Sequence, residues 1–113
     1  MNNDLQPAFR ALGDPTRREI LRQLATEELT ITEVVSRFEL TRTAVRKHLT
    51  ILEEGNLINV TVRGKERVSK LNPNGLKSTA DWFNYFDQFW DAALDSLKNT
   101  IENDTPKSRK RKR

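Results

Sequence analysis

Five side chains able to grip a polyanion recur at helical spacing within residues 41–58, TRTAVRKHLTILEEGNLI. Taken at about 100° per residue, Arg42, Thr43, Arg46, Lys47 and Thr50 share one face. Ala44, Val45, His48, Leu49, Ile51 and Leu52 share the other. The first face holds three cations and two hydroxyls and no carboxylate. Arginine and lysine reach phosphates and guanine edges, and threonine reaches phosphates or a thymine methyl. A merely solvated face more often mixes charge signs, as Glu53 and Glu54 do at the far end of the same stretch. Thr41 is expected to cap the helix start through its hydroxyl, near a phosphate, and Gly55 to supply the left-handed residue that ends it. The face suits double-stranded DNA, with an ordinary solvated surface as the alternative.

Other chemistries find little support. The chain has one histidine and no cysteine. A single imidazole offers no ligand set and no nucleophile–base pair, so His48 reads as a packed or hydrogen-bonded residue on the inward face. There is no Gly-rich phosphate loop, no Ser/His/Asp set and no metal cluster, which argues against an enzyme and calls for no cofactor. No apolar run approaches the length that spans a bilayer, and the first residues lack a signal-peptide core. A cytoplasmic protein with no membrane partner is expected.

The elements around this helix are legible in order. LQPAFRAL at 5–12 makes a short amphipathic helix with Leu5, Phe9 and Leu12 on one side. Asp14-Pro15 opens a second helix that ends near Thr26, carrying Ile20, Leu21, Leu24 and Ala25 at core spacing. Its Arg17, Arg18 and Arg22 lie on the polar side, solvated or paired with Glu19. Thr30-Ile31-Thr32-Glu33 fits a capping box, so a third helix runs through Val34, Val35 and Phe38. Only Glu39 and Leu40 then precede the Thr41 cap. Helices joined so tightly must cross steeply, which makes a helix-turn-helix, although its turn lacks the usual glycine. After Gly55 the period changes to a hairpin over 57–71, with strands at 57–62 and 67–71 and a turn at 63–66. Arg63, Lys65 and Arg67 make its tip basic, as in a wing that touches backbone or minor groove. A solvated loop whose charges blunt a strand edge is the alternative.

Asn72-Pro73 restarts a helix, with a break expected at Asn74-Gly75. From Ser78 to about Glu102 one long helix is predicted, with Phe83, Phe86, Trp90, Ala93, Leu94, Leu97 and Ile101 in a seam at 3- and 4-residue steps. Trp82, Tyr85 and Phe89 widen the seam, and Asp81, Asp87, Asp91 and Asp95 occupy the remaining surface. Such a stripe exceeds what a small domain covers alone, so it is expected to pack partly on a second copy. At 113 residues, 35% hydrophobic and 32% charged, the chain is a single domain that profits from a partner. The net charge of +4 is unevenly spread. Residues 37–70 carry eight basic against four acidic side chains, and 71–106 carry two against six. The polarised middle is the electrostatic footprint of a DNA-facing surface. The fold class is therefore mainly α with a small β-hairpin, a winged helix-turn-helix whose long last helix is expected to meet a second copy. Residues 1–103 form the domain, and 104–113, with KSRKRKR at 107–113, form a disordered basic tail.

Three runs carry a family resemblance: FRALGDPTRREILRQL at 9–24, VRKHLTILEEGNLI at 45–58 and DWFNYFDQFW at 81–90. Together they resemble the ArsR/SmtB family of bacterial winged-helix repressors, over nearly everything from Leu5 to Ile101. The resemblance implies a homodimer built by the first and last helices, here Leu5, Phe9, Phe83, Phe86, Trp90, Leu94 and Leu97. It implies an imperfect palindrome over a promoter, the helix at 42–54 in the major groove, and release by an inducer. One departure matters. Where the family's arsenic and cadmium sensors carry cysteines, in a run shaped like ELTITEV at 28–34, this chain has Thr30 and Thr32. Thiophilic metals need thiolates. The zinc-type site of the last helix needs histidine, and that helix has none. A repressor without the metal sites is expected. The alternatives are a repressor that senses a small organic ligand at the dimer interface, and a protein–protein interaction module using the aromatic helix.

Overall fold

The computed structural model describes residues 4–104. The chain opens with α1 (Gln6–Leu12) and α2 (Pro15–Leu24). In α1 the fully buried positions are Ala8 and Ala11, while Leu5, Phe9 and Leu12 are half-buried, so the larger apolar side is not the innermost one. The reason is a close approach between α1 and the end of α4 (Arg42–Glu54). A Cβ on Gly55 would lie 2.9 Å from the Pro7 carbonyl oxygen and 3.1 Å from the Ala8 Cα. Only small residues fit such a crossing. Gly55 therefore serves proximity and has an ordinary φ of −80°; the left-handed residue after α4 is Asn56, at φ 64°. That corrects the expectation for Gly55.

Local capping follows the sequence. The Asp14 carboxylate accepts from the Arg17 amide at 3.0 Å, and Pro15 takes the first position of α2. In α3 (Ile31–Phe38) the capping box is complete: Glu33 N donates to Thr30 Oγ1 at 3.1 Å, and Thr30 N to Glu33 Oε1 at 2.8 Å. Glu39 takes the left-handed position of the turn, with φ 53°, in place of the missing glycine. Thr41 then caps α4, its Oγ1 accepting from Ala44 N at 3.0 Å.

The hairpin consists of β2 (Ile58–Arg63) and β3 (Glu66–Leu71), joined by Gly64 and Lys65 alone. Gly64 has φ 64°, which the first residue of a tight two-residue hairpin loop requires. The turn is thus shorter than the expected 63–66, with Arg63 and Glu66 in the strands, and Arg67 lies in β3 as expected. A two-residue strand, β1 (Leu29–Thr30), completes an antiparallel sheet in the order β1-β3-β2, with Leu29 opposite Ser69 and Val60 opposite Ser69 from the other side. Leu29 and Ile58 from this sheet meet Ile20 and Leu24 of α2, Val34 of α3, and Val45, Leu49 and Leu52 of α4 in one core. Helices α2, α3 and α4, the short turn between α3 and α4, and a three-stranded sheet whose hairpin is the wing make a winged helix-turn-helix.

The next helix, α5 (Pro73–Asn84), passes through Asn74-Gly75 without the expected break. Gly75 is buried against the Asn56 carbonyl, where any Cβ would collide. Asn72 holds the same corner, donating from Nδ2 to the Asn56 carbonyl at 3.0 Å. The expected single helix over 78–102 is instead two, because α5 ends at Asn84 and α6 (Asp87–Asp104) follows. Phe86 N reaches back three residues to the Phe83 carbonyl at 2.9 Å, a tighter turn than an α-helix makes. Asp87 places an acid at the new N-terminus, where the helix dipole favours it. The chain divides within α5 into two compact units, one ending at Thr79 and one beginning at Ala80. Apart from Asp104, the predicted tail at 104–113 lies outside the described residues. No helix among the described residues is long and apolar enough to cross a membrane.

Candidate nucleic-acid interface

The two faces of α4 separate as their chemistry dictates. Arg42, Thr43, Arg46, Lys47 and Thr50 are exposed; Val45, Leu49 and Leu52 are buried; Ala44, His48 and Ile51 are half-buried. The cations differ in how far they are already engaged. Arg42 donates from Nη1 to Thr32 Oγ1 at a long 3.4 Å. Arg63 pairs with Glu28 at 2.9 Å, so it is held beside β1 instead of standing free at the wing tip. Among the described residues, Arg46, Lys47, Lys65 and Arg67 have no acid within ion-pair distance. Unpaired cations retain their full capacity for phosphate.

Helix and wing meet at a narrow crevice, lined by Arg46, Thr50 and Glu53 of α4 and by Arg67 and Ser69 of β3. It brings together three of the residues singled out from sequence, Arg46, Thr50 and Arg67. Of these lining residues Ser69 is 1% exposed, and its hydroxyl has no hydrogen-bond partner among the described residues. Arg37, by contrast, is spoken for. Its guanidinium grips Glu27 through two bonds of 2.9 and 3.2 Å and Gln23 at 3.0 Å. The hydrogen bond from Arg37 holds the Glu27 carboxyl below its usual range and raises Arg37 in turn. The basic excess of the middle segment is therefore smaller at the surface than in the sequence.

Sequence reasoning missed Arg17. Expected on the polar side of α2, it is half-buried and turned toward α1 and α4. Nε donates to the Ala11 carbonyl at 2.9 Å and Nη2 to the Arg10 carbonyl at 3.0 Å, while Nη1 lies 3.2 Å from His48 Nδ1. The nearby Asp14 carboxyl is held below its ordinary range, chiefly by the Arg17 backbone amide and further by the charges of Arg17 and His48. Arg22 keeps the expected loose pairing with Glu19, at 3.8 Å. No local sequence pattern signals that one arginine of three turns inward, since its acceptors are backbone carbonyls.

The aromatic stripe lies in the second unit. Phe83, Phe86, Trp90 and Leu97 are exposed, with Trp90 at 61%, and Leu94 is half-buried. Trp82 meets Phe86 edge-on at 5.0 Å and Tyr85 meets Phe86 at 4.9 Å, so the rings form a cluster and not a row of isolated side chains. Leu5 and Phe9 of the first unit are half-buried. Where metal sensors would need cysteines, the Thr30 hydroxyl is committed to its cap and Thr32 accepts from Arg42. Among the described residues no three His, Cys, Asp or Glu side chains converge on a metal-sized position.

This geometry matches known proteins. Residues 12–61 match a helix-turn-helix domain model. The uncharacterized HTH-type transcriptional regulator YuzN of Bacillus subtilis is 40% identical over 85 residues, covering 69% of this chain and 92% of the relative. The transcriptional repressor SdpR of the same species is 30% identical over 82 residues, covering 73% and 87%. Among solved structures, an ArsR family transcriptional regulator superposes with a TM-score of 0.71 at 26% identity, covering 80% of this chain and 97% of that one. An ArsR-like regulator from Rhodococcus sp. RHA1 gives 0.67 at 29% identity, covering 85% and 91%. With helix-turn-helix, wing and relatives in agreement, the chain belongs to the ArsR/SmtB-like family of winged-helix transcriptional regulators; it carries a helix-turn-helix DNA-binding domain and is not an enzyme.

Proposed function

We propose that this regulator is a cytoplasmic homodimeric repressor that lays α4 in the major groove of a palindromic operator. Arg42, Thr43, Arg46, Lys47 and Thr50 face the groove, and Thr41 approaches a phosphate at the helix start. The wing reaches the adjacent backbone or minor groove with Lys65 and Arg67, and with Arg63 once it leaves Glu28. The observation that carries this reading is the set of exposed cations on α4 and the wing, Arg46, Lys47, Lys65 and Arg67, that no acid among the described residues pairs. Repression is supported by the likeness to SdpR, described as a repressor. The exposed rings of α5 and α6, together with Leu5 and Phe9, join the two copies. Without thiolates at positions 30 and 32, the signal that releases DNA is not a thiophilic metal.

The test compares wild type with an Arg42/Arg46/Lys47 triple alanine variant on duplex fragments selected from genomic DNA. The variant should lose the selected fragments while keeping its melting temperature, because all three side chains are exposed. Equal binding by the two proteins would remove α4 from the interface.

A further inference from the structure

We infer that Arg17 is a positioning residue for DNA recognition, setting the rotation of α4 through His48. Its guanidinium is fixed at one end by the last carbonyls of α1, Arg10 O at 3.0 Å and Ala11 O at 2.9 Å. The remaining amino group meets His48 Nδ1 at 3.2 Å. One side chain thus ties α1, α2 and α4 together. His48 lies on the inward face of α4, one residue after Lys47 and two after Arg46, so the angle at which those side chains leave the helix depends on how His48 is held. Paired contacts to a base edge tolerate little misalignment.

A guanidinium donates and cannot accept, so His48 Nδ1 is the acceptor of this bond.

This inference rests on α4 being the helix that meets DNA, and the experiment separates the two claims. The probes are a selected genomic duplex and a scrambled duplex of equal length, measured at one salt concentration. Arg17→Lys keeps the net charge but cannot span three acceptors. It should weaken the selected duplex about tenfold, as expected for losing a hydrogen bond to a charged group, and leave the scrambled duplex unchanged. His48→Asn keeps an acceptor near the Nδ1 position and should bind the selected duplex like wild type, whereas His48→Ala, which removes the acceptor, should weaken it. In a His48→Ala background, Arg17→Lys should have much less effect, which makes the pair non-additive. The inference is overturned if Arg17→Lys lowers the melting temperature but not the ratio of selected to scrambled affinity, if the two substitutions add, or if His48→Asn weakens the selected duplex as much as His48→Ala. Arg46→Ala serves as the reference: if it too leaves the selected duplex untouched, the reading of α4 falls and this inference with it.

Discussion

Under the proposed reading Arg46 and Lys65 meet DNA in different ways, and single substitutions separate them. Arg46 projects from the exposed face of α4 beside the crevice shared with Arg67. If it pairs with a guanine, Arg46→Ala relaxes base preference at one position and costs about 1–3 kcal/mol on the correct sequence. Lys65 is one of the two residues of the wing turn. Lys65→Ala should lower affinity evenly across sequences and flatten the slope of log affinity against log salt by about one unit. Titrations on two duplexes at several salt concentrations distinguish these patterns. Ser69 behaves in the opposite sense, because its hydroxyl is buried without a partner among the described residues. Ser69→Ala should leave stability unchanged or raise it by up to about 1 kcal/mol. A substantial fall in the denaturation midpoint would mean that the hydroxyl is engaged after all.

Elements are placed by close approaches as much as by helix propensity. Gly75 sits where α5 crosses the Asn56 carbonyl, so Gly75→Ala forces the helix off its seat and should destabilise by about 1–3 kcal/mol, as overpacking does. Glu39→Gly should act the other way. The turn between α3 and α4 holds a left-handed glutamate, and glycine there should raise the melting temperature, by roughly 1 kcal/mol or less in stability. These positions mark the limit of what the sequence discloses. The caps at Asp14, Thr30 and Thr41 were readable because donor and acceptor lie within three residues of each other. The polar face of α4 was readable from periodicity alone. Gly55 reads in the sequence as a left-handed helix end and Gly75 as a helix break, because their real neighbours, Pro7, Ala8 and Asn56, belong to other segments. β1 is two residues long and has no period to detect. The α5–α6 break escaped notice because one tight turn leaves a 3- and 4-residue apolar seam almost in register. Arg17 escaped because its contacts lie 6, 7 and 31 residues away.

For the whole molecule, the proposed homodimer rests on the exposed rings of α5, α6 and the turn between them. Trp82, Tyr85, Phe86, Phe89 and Trp90 are each more than 40% exposed, a larger apolar display than a monomer of this size usually tolerates. Sedimentation should therefore give twice the 13.1 kDa chain mass. A Phe86→Ser/Trp90→Ser variant should sediment as a single chain and bind DNA with lower affinity, since each copy would then hold only one half-site. The most direct measurement is a footprint of wild type on a selected genomic fragment. Two protected half-sites related by a two-fold axis, with centres about 10–10.5 base pairs or a small multiple of that apart, are the predicted result. A single protected patch without a symmetry mate, or protection that survives when Arg42, Arg46 and Lys47 are all alanine, would contradict it.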